Sequence, residues 1–206
     1  MQRRTAKNLA LFDFDGTLTT RDTTLLFVFY VTGKPRGTWI FVTNIIQLVL
    51  AILEIQDWIS VKEKIFKEGF ATRAALEIEN KGNEFGKKII PKILNDEVYK
   101  QMKKLQKEGY EVVLLSASCR VWLQQWCKDE GIELVCTELA IESDKYTGKI
   151  SGKNCYGKQK VDALKSMYDL QAAENLIAYG NHASDMHYMR LAQQAFMVNG
   201  KKIERI

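Results

Sequence analysis

Two aspartates, Asp13 and Asp15, follow a short apolar run near the start of the chain, and Gly16 comes directly after them. The run, residues 8–12, has the length and composition of a buried β-strand. While the chain stays extended, both carboxylates point the same way. Carboxylates this close repel each other unless a cation or a proton lies between them, and Gly16 permits a sharp turn and the close approach of a ligand. A polar exit from a strand would explain one aspartate better than two, so the pair is a candidate binding site for a cation or a proton.

Polar residues also stand where two further apolar runs end and where one helix is predicted to begin. Ser116 ends a second predicted strand, and its hydroxyl can donate to a phosphoryl oxygen. Lys158 and Lys160 enter a predicted helix, where a lysine can neutralise negative charge on a phosphoryl group. Asn181 and Asp185 follow another strand and carry oxygen ligands suited to a hard cation. Taken alone, the serine is equally consistent with a helix cap, and each lysine with a solvated surface position.

The predicted elements place these residues at one edge of a sheet. After Pro91, apolar runs of strand length alternate with amphipathic helices, which indicates an α/β fold with a doubly wound, parallel, Rossmann-like sheet. In such sheets, ligands bind beyond the carboxyl ends of the strands. Residues 23–85 instead show helical spacing throughout. We therefore expect an α/β core from residues 1–20 and 86–206, interrupted by a helical cap at 21–85.

Several finer features of these regions are also predicted. The cap helices should break at Gly33–Gly37, near Asp57 and at Gly69–Thr72. Residues 139–152 alternate and include Thr147-Gly148, which predicts a hairpin turning at that dipeptide. The segment 39–53 is strongly apolar but shorter than the ~20 residues that span a bilayer. A buried cap helix is the preferred interpretation, and contact with a membrane or an apolar substrate is the alternative.

The four polar stretches together resemble the motifs of the haloacid dehalogenase superfamily of phosphatases. DFDGTLT at 13–19 resembles the first motif, SAS at 116–118 the second, K-V-x-x-L at 160–164 the third and GNHASD at 180–185 the fourth. The position of the cap is similar to that in subfamily IB, which has a type C1 cap and includes phosphoserine phosphatases and phosphatidylglycerophosphate phosphatases. The resemblance implies a Mg²⁺-dependent phosphomonoester phosphatase.

The resemblance also implies a role for each motif residue. Asp13 would attack phosphorus and form an aspartyl-phosphate, and Asp15 would act as general acid and then base. The remaining expected roles are phosphate binding by Ser116, Lys160, Thr17 and Gly16, and Mg²⁺ binding by Asp13, the backbone carbonyl of Asp15, Asn181 and Asp185. Lys160 is preferred to Lys158 because it stands four residues before Leu164, as the third motif requires.

The fourth motif departs from the pattern of this branch, which usually begins Gly-Asp-Ser. Asn181 keeps an oxygen ligand but removes one negative charge, so weaker Mg²⁺ binding is expected. His182 is expected to touch the substrate, the water shell of the metal or only solvent, and His187 to pack or face water. A zinc site of His182, Asp185 and His187 is the least favoured option, because the resemblance implies Mg²⁺ at this corner.

The sequence of the predicted cap does not identify the substrate. Asp22 stands where phosphoserine phosphatases usually have a glutamate that meets the amino group of serine, but it is one methylene shorter. The apolar cap instead resembles that of lipid-phosphate phosphatases. The alternatives are therefore a phosphoserine phosphatase, a lipid-phosphate phosphatase, a phosphotransferase or a phosphonatase with a cap lysine as nucleophile, and a catalytically weakened phosphate-binding protein.

Composition narrows the class of partner. The chain has 206 residues, 46% hydrophobic and 27% charged, with a formal net charge of +5, which suits one globular unit with an anionic partner. The basic residues are scattered rather than clustered, so a nucleic-acid partner is not expected. No secretory signal opens the chain, and the four cysteines form no C-x-x-C pair. We expect a cytoplasmic protein with reduced thiols, with peripheral membrane association as the alternative.

Overall fold

The computed structural model describes residues 3–53, 55–71 and 73–206. Their strands form one sheet in the order β4-β3-β2-β1-β5-β6-β7. The strands are β1 (Asn8–Phe12), β2 (Glu111–Cys119), β3 (Glu133–Glu142), β4 (Lys145–Ser151), β5 (Asn175–Gly180), β6 (Gln194–Asn199) and β7 (Lys202–Arg205). The central five are parallel, whereas β4 and β7 pair antiparallel at the two edges. The predicted α/β fold with a doubly wound sheet is confirmed.

Helices cover both faces of this sheet, and the alternation of strand side chains explains why. The helices are α1 (Thr23–Thr32), α2 (Lys34–Ile52), α3 (Trp58–Phe70), α4 (Ala75–Lys88), α5 (Asp96–Lys107), α6 (Arg120–Glu130), α7 (Lys158–Met167) and α8 (Met186–Met189). In β1, Ala10 and Phe12 face a core shared with α1 to α6, whereas Leu9 and Leu11 face a second core with α7 and α8. Because successive strand side chains point to opposite faces, a strand buried on both sides must be continuously apolar.

Five helices, α1 to α5, follow β1 before the sheet resumes at β2. The break between α1 and α2 lies at Gly33 alone, and α2 continues through Gly37. Asp57 caps the start of α3 by accepting from the N–H of Ser60 at 2.8 Å. Helix α3 ends at Phe70, within the third predicted break, of which Thr72 lies outside the described residues. None of the helices within the described ranges is both long and apolar enough to cross a bilayer.

The preferred interpretation of segment 39–53 as a buried helix is wrong for most of its side chains. Ile40, Asn44 and Ala51 are buried, but a series of large apolar side chains is exposed. Trp39 is 69% exposed and Ile46 is 72% exposed. Hydrophobicity predicted the helix correctly but did not predict which way it faces.

Two features at the sheet edges also differ from the sequence prediction. The β3–β4 hairpin turns at Ser143 and Asp144, with φ of 48° and 60°, rather than at Thr147-Gly148. Gly148 lies inside β4 with φ of +84°, and a Cβ there would approach the backbone nitrogen of Lys67 in α3 to 2.5 Å. Gly148 therefore allows the hairpin to pack tightly against α3. Strand β7 was not predicted, because the strand is only four residues long and mostly polar.

Candidate active site

A cavity of about 350 Å³ lies beyond the carboxyl ends of the central strands, between the sheet and helices α1 to α3. Residues at the ends of the strands and in the loops that follow them supply much of its polar side, and helices α1 to α3 supply most of its apolar side. The lining residues are Asp13, Asp15, Asp22, Thr24, Leu25, Leu48, Trp58, Val61, Lys62, Ile65, Ala117, Ser118, Tyr156, Lys160, Asn181, His182, Ser184 and Asp185. The sheet edge predicted to carry the site is the one that carries this cavity.

Asp13 lies directly beyond the end of β1, where its N–H donates to the Tyr179 carbonyl at 3.0 Å. One carboxylate oxygen accepts from the Lys160 ammonium at 2.5 Å, and the other lies 3.0 Å from the Thr17 hydroxyl. Burial raises the pKa of Asp13, Lys160 lowers it and the Asp185 carboxylate raises it, with a net upward shift. Asp13 is thus a buried carboxylate held in place from both sides.

Lys160 connects Asp13 to the fourth predicted motif. It lies in the first turn of α7, is 2% exposed, and donates to Asp185 at 2.8 Å as well as to Asp13. Burial lowers the pKa of Lys160, but the charges of Asp13 and Asp185 raise it further, so the ammonium stays charged. Lys158 is exposed on the same helix. Of the two lysines considered, only Lys160 lines the cavity.

Asp185 also fixes the loop that follows β5. Its second oxygen accepts from the backbone N–H groups of Asn181 at 3.2 Å and His182 at 3.1 Å. The His182 ring in turn accepts from the N–H of Ser184 at 3.2 Å. The loop is therefore closed by hydrogen bonds at both ends, which orients the Asn181 side chain toward Asp13.

Asp15 is held by hydroxyl groups rather than by a cation. One oxygen accepts from the Thr23 N–H at 2.7 Å and the Thr23 hydroxyl at 2.6 Å, and the other from the Ser118 hydroxyl at 2.6 Å. Trp122 donates to the Thr23 hydroxyl at 3.2 Å, which leaves the hydrogen of that hydroxyl for Asp15. Burial and the nearby charge of Asp22 raise the pKa of Asp15 to about 7, against the lowering effect of these hydrogen bonds.

The oxygen atoms near Asp13 suit a hard cation. The Thr17 hydroxyl lies 3.0 Å from an Asp13 oxygen and 3.2 Å from the Asn181 amide oxygen. The two expected metal-ligand oxygens therefore lie on either side of the same hydroxyl and close to each other. Gly16 has φ of +83°, and a Cβ there would overlap the Asn181 amide nitrogen. The carboxylate of Asp13, the amide oxygen of Asn181 and a backbone carbonyl form the donor set that Mg²⁺ prefers. This chemistry fits the expected metal.

A zinc site has less support from the side chains. Within the described ranges, no three His, Cys, Asp or Glu side chains are placed to hold a metal ion together. His182 and His187 are both exposed, and the Asp185 carboxylate is occupied by Lys160 and two N–H groups. Of the two histidines, only His182 lines the cavity.

Two other predicted residues have local structural contacts. Ser116 is buried in β2, does not line the cavity, and accepts from the Ser118 N–H at 3.0 Å. Asp22 caps α1 by accepting from the Leu25 N–H at 3.0 Å and also lines the cavity. Its carboxylate is exposed, so it can contact a ligand in the cavity.

Sequence reasoning missed Lys62, a buried lysine of α3 that lines the cavity. Its ammonium donates to the Ala117 carbonyl at 2.7 Å and to the Asn154 amide oxygen at 3.3 Å. Thr137 lies 2.9 Å from the same carbonyl and 3.0 Å from the same amide oxygen. Lys62 thus joins α3 to the end of β2. The only local signal was a lysine within an apolar helical pattern, which usually marks a solvated edge.

Comparison with known proteins agrees with this architecture. A sequence model of the family described as haloacid dehalogenase-like hydrolase matches residues 10–190. Protein CicA of Caulobacter vibrioides is 25% identical over 189 residues, which cover 90% of this chain and 83% of CicA.

Two solved structures share the fold. A protein of unknown function from Bordetella pertussis Tohama I has a TM-score of 0.80 at 18% identity, over 93% of this chain and 89% of that one. A phosphoserine phosphatase in its apo form has a TM-score of 0.62 at 17% identity, over 92% of this chain and 85% of that one. The family match runs from within β1 to the end of α8 and includes every motif residue around the cavity, from Asp13 to Asp185. The chain therefore belongs to the haloacid dehalogenase-like hydrolases.

Proposed function

We propose that this protein is a Mg²⁺-dependent phosphomonoester phosphatase that works through an aspartyl-phosphate on Asp13. The observation that carries the proposal is the placement of Asp13 in the cavity, 2.5 Å from the Lys160 ammonium and two residues before a second carboxylate of raised pKa. A buried carboxylate next to a cation is suited to attack an anionic phosphoryl group, because the cation offsets the repulsion between them.

In the first step, a carboxylate oxygen of Asp13 forms a bond to phosphorus while the bond from phosphorus to the substrate oxygen breaks. Asp15 gives its proton to the departing oxygen. A pKa of about 7 keeps much of Asp15 protonated near neutral pH. The Ser118 hydroxyl can accommodate that proton, because a hydroxyl that donates to a carboxylate can instead accept from a carboxylic acid.

In the second step, a water molecule attacks phosphorus and Asp15 takes up its proton. The bond between phosphorus and Asp13 breaks, which releases inorganic phosphate and restores the enzyme. Lys160 donates to Asp185 at 2.8 Å as well as to Asp13, so it keeps an anionic partner when Asp13 carries the phosphoryl group and should stay charged throughout. Mg²⁺ held by Asp13, Asn181 and the Asp15 carbonyl would neutralise charge on the phosphoryl oxygens when it is bound.

The cavity wall favours a substrate with an apolar leaving group over phosphoserine. Leu25, Leu48, Trp58, Val61 and Ile65 line the side supplied by the cap. A serine leaving group would present an ammonium and a carboxylate to this wall. Asp22 offers the ammonium a partner, but the Lys62 ammonium already donates to two other oxygens, so the serine carboxylate would be buried without a partner, which is unfavourable. A phosphomonoester of lipid type matches the wall better and is our preferred substrate class.

The phosphonatase alternative depends on Lys62, because this lysine of the predicted cap lines the cavity. A phosphonatase would need this amine neutral and free to attack a carbonyl. In the structure its nitrogen is held by the Ala117 carbonyl and the Asn154 amide oxygen, so it is tied to the end of β2 rather than free to attack. The phosphatase is therefore the better-supported function.

Hydrolysis of an aryl phosphate, with and without Mg²⁺, tests the proposal. Asp13→Asn should lower kcat by roughly 10⁴-fold or more, because the variant lacks the nucleophile. The matched control is Asp162→Asn, an exposed aspartate of α7, which should behave as wild type. Acid-quenched wild-type enzyme should carry one phosphoryl group on the peptide that contains Asp13. Turnover without Mg²⁺, or an Asp13→Asn enzyme of near wild-type activity, would contradict the mechanism.

A substrate panel then separates the alternatives. Phosphoserine, a monoacylglycerol phosphate and a phosphonate should be compared at equal concentration with inorganic phosphate as the product measured. The monoacylglycerol phosphate should have the highest kcat/KM. Hydrolysis of none of them, in an enzyme that still binds phosphate, would support the non-catalytic alternative instead.

A further inference from the structure

Helix α2 exposes a continuous apolar stripe on the outside of the protein. Its exposed large apolar side chains follow helical spacing at intervals of three and four residues. The stripe consists of Trp39, Val42, Ile46, Val49 and Leu53, all at least 48% exposed. From Gly37 to Leu53 the sequence contains no charged residue. A patch of this kind on a protein surface normally marks a binding surface.

The rotation of α2 is fixed by polar contacts with α3. The buried Asn44 amide donates to the Glu68 carboxylate of α3 at 2.9 Å. The Lys64 ammonium donates to the Gln47 amide oxygen at 3.1 Å. The helix therefore turns Asn44 and Gln47 toward α3 and its apolar stripe outward, whereas an ordinary surface helix directs its apolar side inward.

The stripe continues from α2 to the wall of the active-site cavity. Ile55, Trp58 and Ile59 are exposed beyond its end, and Trp58 also lines the cavity. Leu48 of α2 lines the cavity from the same side. We call the stripe together with Ile55, Trp58 and Ile59 the α2 face. An apolar chain lying against the α2 face would be next to the cavity wall made by Leu48 and Trp58.

Charge at the start of α2 suits an anionic surface. Lys34 and Arg36 are exposed in its first turn, a few residues before Trp39, and the whole chain carries a net charge of +5. Asp57, which caps α3, is an acidic residue at the opposite end. Basic residues beside a tryptophan and an apolar helix face are typical of helices that lie in the plane of a membrane surface. None of the helices in the described ranges is suited to cross a bilayer, so an in-plane position is the one consistent with the helix.

We propose that the α2 face docks on an anionic lipid bilayer, with α2 lying in the interface and the cavity opening beside it. A second copy of this chain is a poorer fit. Because Trp58 belongs to both the α2 face and the cavity wall, a folded partner seated there would cover that side of the cavity, whereas a bilayer could supply the substrate. The exposed apolar stripe and the basic residues at its start favour a bilayer independently of the proposed phosphatase activity. Only the supply of substrate from the bilayer depends on that activity.

Vesicle flotation of the full chain tests the proposal. Vesicles of equal parts phosphatidylcholine and phosphatidylglycerol are compared with vesicles of phosphatidylcholine alone. Ile46→Asp places a charge in the centre of the stripe and should lower the partition coefficient at least about tenfold. The matched control is Leu76→Asp on α4, which is 67% exposed in wild type but lies outside the α2 face, and it should bind as wild type.

The charges are tested separately. Lys34→Gln with Arg36→Gln should lower binding to the anionic vesicles several-fold and leave binding to phosphatidylcholine nearly unchanged, because each basic residue contributes through the surface potential. Added salt should reduce the same difference. Equal binding of the double variant and wild type to the anionic vesicles would contradict the assigned role of these two residues.

Two results would overturn the docking proposal. One is wild-type protein that does not float with either vesicle. The other is a concentration-dependent dimer in analytical ultracentrifugation that Ile46→Asp dissociates, which would assign the α2 face to a second copy. Hydrolysis of a water-soluble aryl phosphate should be the same for wild type and Ile46→Asp, since Ile46 does not line the cavity. Failure of vesicle binding with intact hydrolysis would thus reject the docking face alone. Absent hydrolysis with intact vesicle binding would reject the proposed function alone.

Discussion

Replacing Asn181 by aspartate is the most direct test of the proposed metal site. The Asn181 amide oxygen and an Asp13 carboxylate oxygen lie within 3.2 Å of the same Thr17 hydroxyl. These two oxygens are therefore at most about 6 Å apart. Asn181→Asp preserves the shape of the side chain and adds one negative charge beside a buried carboxylate whose pKa is already raised.

The size of the effect follows from that separation. Two unit charges about 6 Å apart repel by ~3 kcal/mol at an effective dielectric constant of 20. Lys160 offsets part of this repulsion, so we expect a loss of about 1–3 kcal/mol in the free energy of unfolding without metal. Mg²⁺ between the two carboxylates would remove the repulsion, and its apparent Kd should fall roughly ten- to hundredfold.

Titration calorimetry with Mg²⁺ and thermal unfolding with and without Mg²⁺ measure both effects. Asn181→Asp should lower the metal-free Tm and increase the rise in Tm that saturating Mg²⁺ produces. Asn83→Asp, which adds the same charge at an exposed position on α4, is the control and should change neither quantity. An Asn181→Asp protein with unchanged Mg²⁺ affinity would refute the assignment of residue 181 as a metal ligand.

Three other substitutions test the remaining contacts of the site. Gly16→Ala introduces a side chain at φ of +83° against the Asn181 amide, so Tm should fall and the Mg²⁺ response should weaken; an unchanged Tm would show that the loop relaxes without cost. Lys160→Met leaves the buried carboxylates of Asp13 and Asp185 without their cation. The free energy of unfolding in urea should fall by about 3–5 kcal/mol at pH 7 and by less at acid pH, where the carboxylates are neutral. Equal losses at both pH values would contradict this explanation. Asp22→Asn keeps the helix cap but removes a charge that raises the pKa of Asp15. Because the general acid must be protonated, kcat/KM should fall above about pH 7 in wild type and at lower pH in the variant. A fall at the same pH in both proteins would show that Asp15 is not the group responsible for it.

Much of the core could be predicted from the sequence because its signals are local. Asp13, Asp15 and Asn181 stand directly after apolar runs that form parallel strands, and parallel strands bring their carboxyl ends to one edge. Lys160 was chosen by its spacing from Leu164, and it is the lysine that contacts Asp13. Sequence spacing and sheet topology both fix these positions, so the same residues converge in space.

Helices α1 to α4 could not be predicted to the same depth, because their contacts are with elements distant in sequence. Lys62 reaches Ala117, 55 residues away, and nothing near Lys62 in the sequence indicates that acceptor. The direction in which Ile46 faces depends on the Asn44–Glu68 contact, which a hydrophobicity pattern does not contain. The hairpin turn at Ser143 and Asp144 was missed because neither is glycine, although both adopt positive φ.

The glycines of α4 bear on how this protein can be recombined with its relatives. A Cβ at Gly82 would overlap the carbonyl oxygen of Val121, and one at Gly86 would lie 3.2 Å from the backbone nitrogen of Trp126. Helices α4 and α6 therefore touch backbone to backbone, which fixes α4 to the core as a single body. A chimaera that imports a foreign cap should join within the loop before α4 and keep α4 with its own α6. A junction at the end of α4 would bring in a helix whose side chains have no room there.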